Sequence, residues 1–345
     1  MKKDESIHSD LIIEPLKLKH LAMLRVENDH KYLGVFQILL TRKWFSSLES
    51  SLTNIIPTRN PTCFVATERS NIIAYILATP INRRGSCWSI SEPYFIGESI
   101  SYSRYNLLQN LLRKVLNDSN IKTQSFLISI NTSDNQNLSI IRQSGFQPLK
   151  IIKYWQRKED FKYKKIEQKD SCTWERLNEE NSQQIWRLEQ ARESITFRSI
   201  FDRQWNDIYE KRNNLTGVIK VKDNIVIAGL IPSICPQYDY SLELVRSLAW
   251  DERLNFLIPQ RINNIRIGNQ KCYIETTSED KKLNEVLSKS NWEIREERVL
   301  LGRNIWKRQN GSKLKSLETD LLSNLVGNLQ QQPDFPSTLK LKENK

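Results

Sequence analysis

Histidine is scarce in this chain. There are three, His8, His20 and His30, all near the start of the sequence. A Ser-His or Cys-His nucleophilic site elsewhere would have to draw on one of these, and a His-rich metal centre is excluded on the same count. Glycine is scarce too: ten residues, no two closer than Gly302 and Gly311. The chain therefore holds neither GxGxxG nor GxxxxGK[ST], and the phosphate cradles of dinucleotide folds and P-loops are missing. Five cysteines (Cys63, Cys87, Cys172, Cys235 and Cys272) stand singly, without a CxxC pair. That pattern reads as reduced, mostly buried thiols in a cytoplasmic protein. No uncharged apolar run approaches the roughly 18 residues of a membrane helix. The longest, Ile72–Ala78 and Ile225–Ile231, have strand length, and the opening MKKDESIHSD lacks a signal-peptide core. A membrane partner is not expected.

What is present is an ordinary globular mixture, 39% hydrophobic and 27% charged over 345 residues, enough for about two domains. The net charge is +12, and much of it is local. Lys153–Lys169 holds seven basic against three acidic residues, and Lys307–Lys345 seven against four. Such a balance favours an anionic contact such as RNA, a ribosome or a phosphorylated cofactor; a solubilising excess on loose segments is the other reading.

Hydrophobic periodicity gives the elements. Leu11–Pro15 is followed by two helical stretches, the second over Val35–Leu52. Cys63–Thr67 and Ile72–Thr79 flank the turn Arg69-Ser70-Asn71 and read as a hairpin. Ser86–Phe95 is a strand, Ser101–Asn117 a helix with a broad leucine face, Ser125–Ile130 an alternating strand, and Asn135–Ser144 a short helix stopped by Gly145. Pro148–Gln156 is a last strand. The same order then recurs: strand Cys172–Leu177, helices Ser182–Glu189 and Ser199–Arg212, a hairpin about Asp223-Asn224, strand Leu242–Trp250, helix Leu254–Ile267, strand Lys271–Thr276, helix Glu279–Ser290 and strand Trp292–Trp306.

Residues repeat along with the pattern. Ile73-Ala74-Tyr75-Ile76 matches Ile227-Ala228-Gly229-Leu230, and Ser144-Gly145-Phe146 matches Ser290-Asn291-Trp292. A period of about 150 residues is a domain duplication; solenoid repeats have periods of roughly 20–50. The expected division is a domain over residues 10–157, a basic linker over 158–170, a second domain over 171–308, and a tail over 309–345. In the tail Leu314, Leu317, Leu321, Leu325 and Leu329 form one helical stripe. The stripe either packs on its own domain or docks on a protein partner.

A strand, an Asn-containing turn, a short helix, then Gly-Phe and a last strand resembles the C-terminal signature of the GCN5-related N-acetyltransferase (GNAT) family. It is carried here by Ile128–Asn135 and Ser139–Phe146, and again, more loosely, from Ile274 to Trp292. The resemblance covers about 11–157 and 172–307. It implies an α/β fold of two tandem domains, each a mixed, mostly antiparallel twisted sheet flanked by helices. It also implies acetyl-CoA as acyl donor, no metal, and an amine of a small molecule or protein as acceptor. In the family a loop opening a helix holds the pyrophosphate on backbone N–H groups, and reads Arg/Gln-x-x-Gly-x-Gly/Ala. In this chain Arg104 matches the leading position with Leu107 in place of the first glycine, and Arg253 is followed by Phe256 there. Glu98, Asp251 and Glu252 place negative charge beside the two loops. The Tyr expected four residues before the Gly-Phe glycine is Ile141 in the first copy and Leu287 in the second.

The site residues that follow from the resemblance are Glu92 as general base and Tyr102 as the acid for the leaving thiolate, with Tyr94 and Tyr105 as the other nearby acids. Glu243 is the second copy's equivalent of Glu92. Gly97, Arg104, Asn106, Asn131 and Asn135 are the cofactor-binding positions, and helix capping is the competing account of the asparagines. Three functions stay open on the residues: an acyl-CoA-dependent N-acyltransferase with an active first lobe, a non-catalytic tandem scaffold, and an RNA- or ribosome-binding protein. The last would use Trp155, Phe161 and Tyr163 interleaved with Arg157, Lys158, Lys162, Lys164 and Lys165.

Overall fold

The structure is a computed structural model. It describes residues 11–24, 30–52, 60–97, 99, 101–118, 123–158, 172–221, 224–234, 238, 240–265 and 270–305. Glu98, most of the basic linker and the leucine-striped tail lie outside the described residues.

In the first half the elements are β1 (Leu11–Pro15), α1 (Lys19–Met23), α2 (His30–Leu52), β2 (Thr62–Glu68), β3 (Asn71–Pro80), β4 (Cys87–Ile90), β5 (Tyr94–Phe95), α3 (Arg104–Asn117), β6 (Ser125–Asn131), α4 (Asn135–Gln143) and β7 (Gln147–Arg157). The second half repeats them as β8 (Thr173–Arg176), α5 (Glu179–Arg192), α6 (Ile195–Phe201), α7 (Trp205–Glu210), β9 (Gly217–Lys220), β10 (Val226–Pro232), β11 (Ser241–Arg246), α8 (Leu254–Asn263), β12 (Tyr273–Thr277), α9 (Lys281–Lys289) and β13 (Trp292–Asn304).

Local chemistry sets these limits. The β2–β3 turn puts Arg69 and Ser70 in the left-handed region, at φ 49° and 64°, the geometry a two-residue hairpin turn needs. α4 ends on Gly145 at φ 86°, and its counterpart α9 ends on Asn291 at φ 62°. Asparagine is the non-glycine residue that tolerates this conformation best, so the replacement keeps the stop. The helix expected over Ser199–Arg212 is instead two short ones, because Asp202 turns left-handed at φ 50° between them. The strand expected over Ser86–Phe95 is likewise broken. Pro93 has no N–H to continue a ladder and disfavours helical backbone at the residue before it, so β4 ends at Ile90 and the chain pairs with β3 again as β5, with Phe95 opposite Ala74.

Each half is a mixed, mostly antiparallel sheet with helices on both faces, as the resemblance implied. One feature goes further: among the described residues the strands form one 13-stranded sheet in the order β1-β2-β3-β4-β6-β13-β7-β12-β11-β10-β9-β8, with β5 on β3. The last strand of each half lies inside the other. β13 sits between β6 and β7, and β7 sits between β12 and β13. Ile152 of β7 stands opposite Arg298 of β13, and these two are also equivalents under the repeat, which carries Phe146 onto Trp292. The neighbouring pairs Lys153–Glu297 and Ile151–Val299 exchange with one another under the same shift. A local two-fold axis therefore passes between Ile152 and Arg298.

Alternation along the strands sorts the cores. Phe64 and Ala66 of β2 face the helices α3 and α4, packing with Leu107, Leu111 and Ile141. Cys63 and Val65 face the other way, onto Phe36 of α2. Near the axis Leu127, Tyr154 and Leu300 pack under Phe197, Ile200 and Phe201 of α6, so a second-half helix covers first-half strands. Polar contacts bind the same seam: the Arg83 amide donates to Asp207 Oδ1 at 2.6 Å, Ser86 Oγ to Asp202 Oδ2 at 2.6 Å, and Lys211 Nζ to the Ile81 carbonyl at 2.7 Å.

Because β13 is an inner strand of the first half's sheet, residues 1–171 expressed alone leave the inner edges of β6 and β7 bare. We expect this fragment to show no cooperative thermal transition by far-ultraviolet circular dichroism, and co-expression with residues 172–345 to restore one.

Candidate functional site

Two strand pairs in the sheet are parallel, β4 with β6 and β11 with β12, one in each half. Both separate at their C-terminal ends. In the first half pairing runs from Cys87–Ser125 to Ile90–Ile128 and stops there. The chain beyond Ile90 stays with β3 but leaves β6, which continues to Asn131, and a gap opens between Glu92 and Ser129.

β6 bonds on its far side to β13. The Thr132 amide donates to the Glu297 carbonyl at 3.0 Å, and the Ile305 amide to the Gln124 carbonyl at 2.7 Å. In an antiparallel ladder only alternate residues bond to a given neighbour, so the even-numbered residues of β6 serve β13 and the odd-numbered ones, Ser129 among them, face β4 and the gap.

The gap is crossed by Arg298, which is 6% exposed. Its Nη2 donates to the Ser129 carbonyl at 2.8 Å and forms an ion pair with the Glu92 carboxylate. Nε donates to Ser129 Oγ at 3.2 Å, and Nη1 lies 3.5 Å from Glu296 Oε2. Glu296 Oε1 accepts from the Tyr238 hydroxyl at 3.0 Å, and Glu296 Oε2 from Asn131 Nδ2 at 3.3 Å. Tyr238 stacks on Tyr273, ring centroids 3.8 Å apart. Burial, then the Glu296 charge, pushes its phenol up to about 12. Burial and Glu92 also raise Tyr94, while Arg298 opposes them. Glu92, Tyr94 and Arg298 are thus within electrostatic reach of one another, with Glu296, Asn131 and Tyr238 behind the arginine. Three of these six residues, Tyr238, Glu296 and Arg298, belong to the second half.

The remaining expected residues stand around the same end of the sheet. Ser103 caps α3, its hydroxyl accepting from the Asn106 amide at 3.3 Å. Arg104 is exposed, its guanidinium carbon 5.1 Å from the Phe95 ring centre. The Tyr102 amide donates to Ser99 Oγ at 2.9 Å, and the Tyr102 ring packs on the core that α3 and α4 share with β6. The Gly97 amide donates to the Ile73 carbonyl at 3.3 Å, and an added Cβ there would meet nothing closer than 3.4 Å. Asn131 Oδ1 accepts from the Ser133 amide at 3.0 Å, and Asn135 is exposed in the first turn of α4. The α4 cap is Asp134, which accepts from the Asn137 amide at 3.0 Å. Tyr105 reaches from α3 to Gln143 of α4 at 2.9 Å.

The second gap is built differently. The ladder register aligns Ser89 with Ser241, so Ser91, and not Glu92, takes the place of Glu243. Ser129 corresponds to Glu275, and Glu296 to Lys150. Two serines in one gap are thus two buried glutamates in the other, paired across β11 and β12. Around them lie Lys150, 2.8 Å from Glu193 Oε1 and 3.7 Å from Glu243 Oε1; Arg192, 3.4 Å from Glu243 Oε1; and Arg203, 2.8 Å from Glu189 Oε1 and 3.7 Å from Glu243 Oε2. Glu275 is 3% exposed. Its Oε1 has no hydrogen-bond partner, nor does Glu189 Oε2. Burial raises Glu275 to about 8, against the Ser233 hydroxyl and Lys150, and raises Glu189 to about 7, against Arg203.

The loop that leads from β11 into α8 is closed on itself. Asp251 Oδ1 accepts from the Arg253 amide at 3.0 Å, and the Arg253 guanidinium returns to Asp251 Oδ2 at 2.6 Å. That hydrogen bond holds the Asp251 carboxyl below its usual range. A cleft of about 470 Å³ lies alongside, between Trp250, Asn255, Lys282 and Lys289. Among the described residues no cluster of three or more His, Cys, Asp or Glu side chains has metal-binding geometry.

Sequence reading missed Arg298, Glu296 and Tyr238 because they reach the first gap only through the strand exchange. It missed the second-half ionic cluster although Glu243 was in view. A glutamate within the apolar run Leu242–Val245, and another directly after Tyr273-Ile274, were the available signals.

No family model matches the chain, and no curated protein matches it. Solved structures resemble it in architecture. A GCN5-related N-acetyltransferase of Sphaerobacter thermophilus aligns at TM-score 0.46 and 13% identity, over 76% of this chain and 86% of that one. A tandem GNAT protein of the clavulanic acid biosynthesis pathway aligns at 0.47 and 8%, over 87% and 100%. A GNAT-family acetyltransferase of Colwellia psychrerythraea aligns at 0.40 and 10%, over 85% and 100%.

The second-half cluster makes a pH prediction. The Glu275 carboxyl is raised on folding from 4.5 to about 8, so the native state binds a proton that the unfolded chain releases. This stabilisation is complete below pH 4.5 and is lost as pH rises through 8. In Glu275→Gln the lost proton linkage leaves a flatter profile. The melting temperature of the variant relative to wild type should rise between pH 5 and pH 8.5, as calorimetry at a series of pH values would show.

Proposed function

We propose that the chain is an acyl-CoA-dependent N-acyltransferase that works at the first gap, with acetyl-CoA as donor and an amine of a small molecule, peptide or protein as acceptor. One observation carries this reading. Pro93 drives β4 away from β6 beyond Ile90 and Ile128, leaving the inward-facing edge of β6 without a strand partner, at the end of the sheet where α3 begins. The pantetheine arm is an extended chain bearing two amides, and an open strand edge offers matching hydrogen-bond groups. The N-terminus of α3 favours the pyrophosphate, with Arg104 as its charge partner and Gly97 and Asn106 beside it. Asn131 and Asn135 lie along the path of the arm in this reading.

The amine attacks the thioester carbonyl, a C–N bond forms and the C–S bond breaks. Glu92 takes the amine proton. The departing thiolate takes a proton from a phenol, the role assigned to Tyr102 on sequence; Tyr94, in electrostatic reach of Glu92, is the better-sited donor. The second lobe is structural, its loop amide already bonded to Asp251.

That occupied loop is also the observation favouring a non-catalytic scaffold, in which neither lobe takes cofactor. Melting with and without acetyl-CoA separates the two. At a hundredfold excess over Kd a ligand adds about 2.7 kcal/mol of stability; no shift at saturating acetyl-CoA or CoA would end the enzyme reading. Given turnover, Glu92→Gln should lower kcat by about 10²–10⁴-fold while leaving the donor KM within a few-fold. An unchanged kcat would remove Glu92 as the base.

A further inference from the structure

Arg298 comes from the last strand of the second half and stands on the local two-fold axis opposite its own equivalent, Ile152. One side chain on an axis can serve only one of two related gaps. The guanidinium turns to the first, while Ile152 joins the apolar core beneath α6. In that gap it takes the place of the missing strand. Ser129 is an odd-numbered residue of β6, so its carbonyl faces the space β4 has left, and Arg298 Nη2 donates to it at 2.8 Å. The same nitrogen holds Glu92 from the opposite edge.

Two groups that a loaded site would need are therefore held by one cation in the free protein. The Ser129 carbonyl is the acceptor an amide of an acyl-thioester arm would use, and the Glu92 carboxylate is the base.

We propose that Arg298 is a positioning residue that bolts the first gap shut, and that an entering acyl-thioester arm displaces it from the Ser129 carbonyl, freeing Glu92 in the same movement. This inference rests on the donor-binding reading above. It adds an order to it: donor first, base released second, with the second half of the chain supplying the bolt. Glu296, behind Nη1 at 3.5 Å, is the group toward which the guanidinium withdraws.

The test is calorimetric titration of the full-length protein with acetyl-CoA, comparing wild type with Arg298→Gln and Arg298→Lys. Removing a charge-assisted hydrogen bond that the ligand must break should tighten binding about tenfold in Arg298→Gln. Arg298→Lys keeps the charge and should return affinity toward the wild-type value. A merely structural arginine would give weaker or unchanged binding in Arg298→Gln, and that result, with wild type binding normally, overturns the bolt and leaves the donor site standing. If wild type itself binds no acetyl-CoA, the donor-site reading fails and the bolt fails with it. Should Arg298→Gln not fold, Glu92→Gln severs one arm of the bolt without touching β13. It is expected to bind acetyl-CoA about threefold to fivefold more tightly, and unchanged or weaker binding refutes the proposal.

Discussion

The antiparallel ladder between β7 and β13 is the constraint on which the rest of the structure depends. It runs from Trp292–Arg157 to Gly302–Gln147, and each of its strands is also the inner neighbour of a strand from the opposite half. Its close packing is visible at Gly302, where an added Cβ would come within 2.7 Å of Leu149 and 3.1 Å of Ile200. A hydrophobic core under α6 sits on this ladder and is built from both halves. Contacts that would ordinarily be an interface between domains are here hydrogen bonds within one sheet.

Placing the ladder on a local two-fold axis forces the halves to differ. Equivalent positions point into equivalent gaps, but an axial pair can be resolved only one way. With Arg298 committed to the first gap, that gap keeps small neutral neighbours, Ser91 and Ser129. The second gap, with Ile152 at the axis, is filled by Glu243 and Glu275 against Lys150, Arg192 and Arg203. Burying that many charges stabilises little compared with an apolar core. Its consequence is geometric, since Glu243 ties α5, through Arg192, and the segment after α6, through Arg203, to β11.

The duplication, the element order and the hairpins were legible in the sequence because they rest on local signals: alternation in Ser125–Ile130, the leucine face of Ser101–Asn117, and the stop at Gly145. Even the Asn291 substitution behaves as its chemistry suggests. The strand exchange was not legible. Periodicity states that Pro148–Gln156 and Trp292–Trp306 are strands and is silent on which neighbours they choose. Pairing between residues as distant as Asn131 and Arg298 leaves no local trace. The break at Pro93 was readable in principle, as was the oddity of glutamate inside two apolar strands. The expected positions Glu92, Arg104, Asn106, Asn131 and Asn135 follow from local order along the chain, but the groups that hold Glu92 came from beyond the reach of a local reading.

The exchange also bears on how the chain is made. β13 ends at Asn304, yet it belongs between β6 and β7, which leave the ribosome far earlier. Throughout synthesis of the second half, the first half carries two bare inner edges rich in isoleucine and leucine, the kind of exposed template on which nascent chains aggregate. A fold dominated by such distant pairings closes slowly. In the cell, this protein's yield should therefore depend more on what shields those edges during translation than on the stability of the finished molecule.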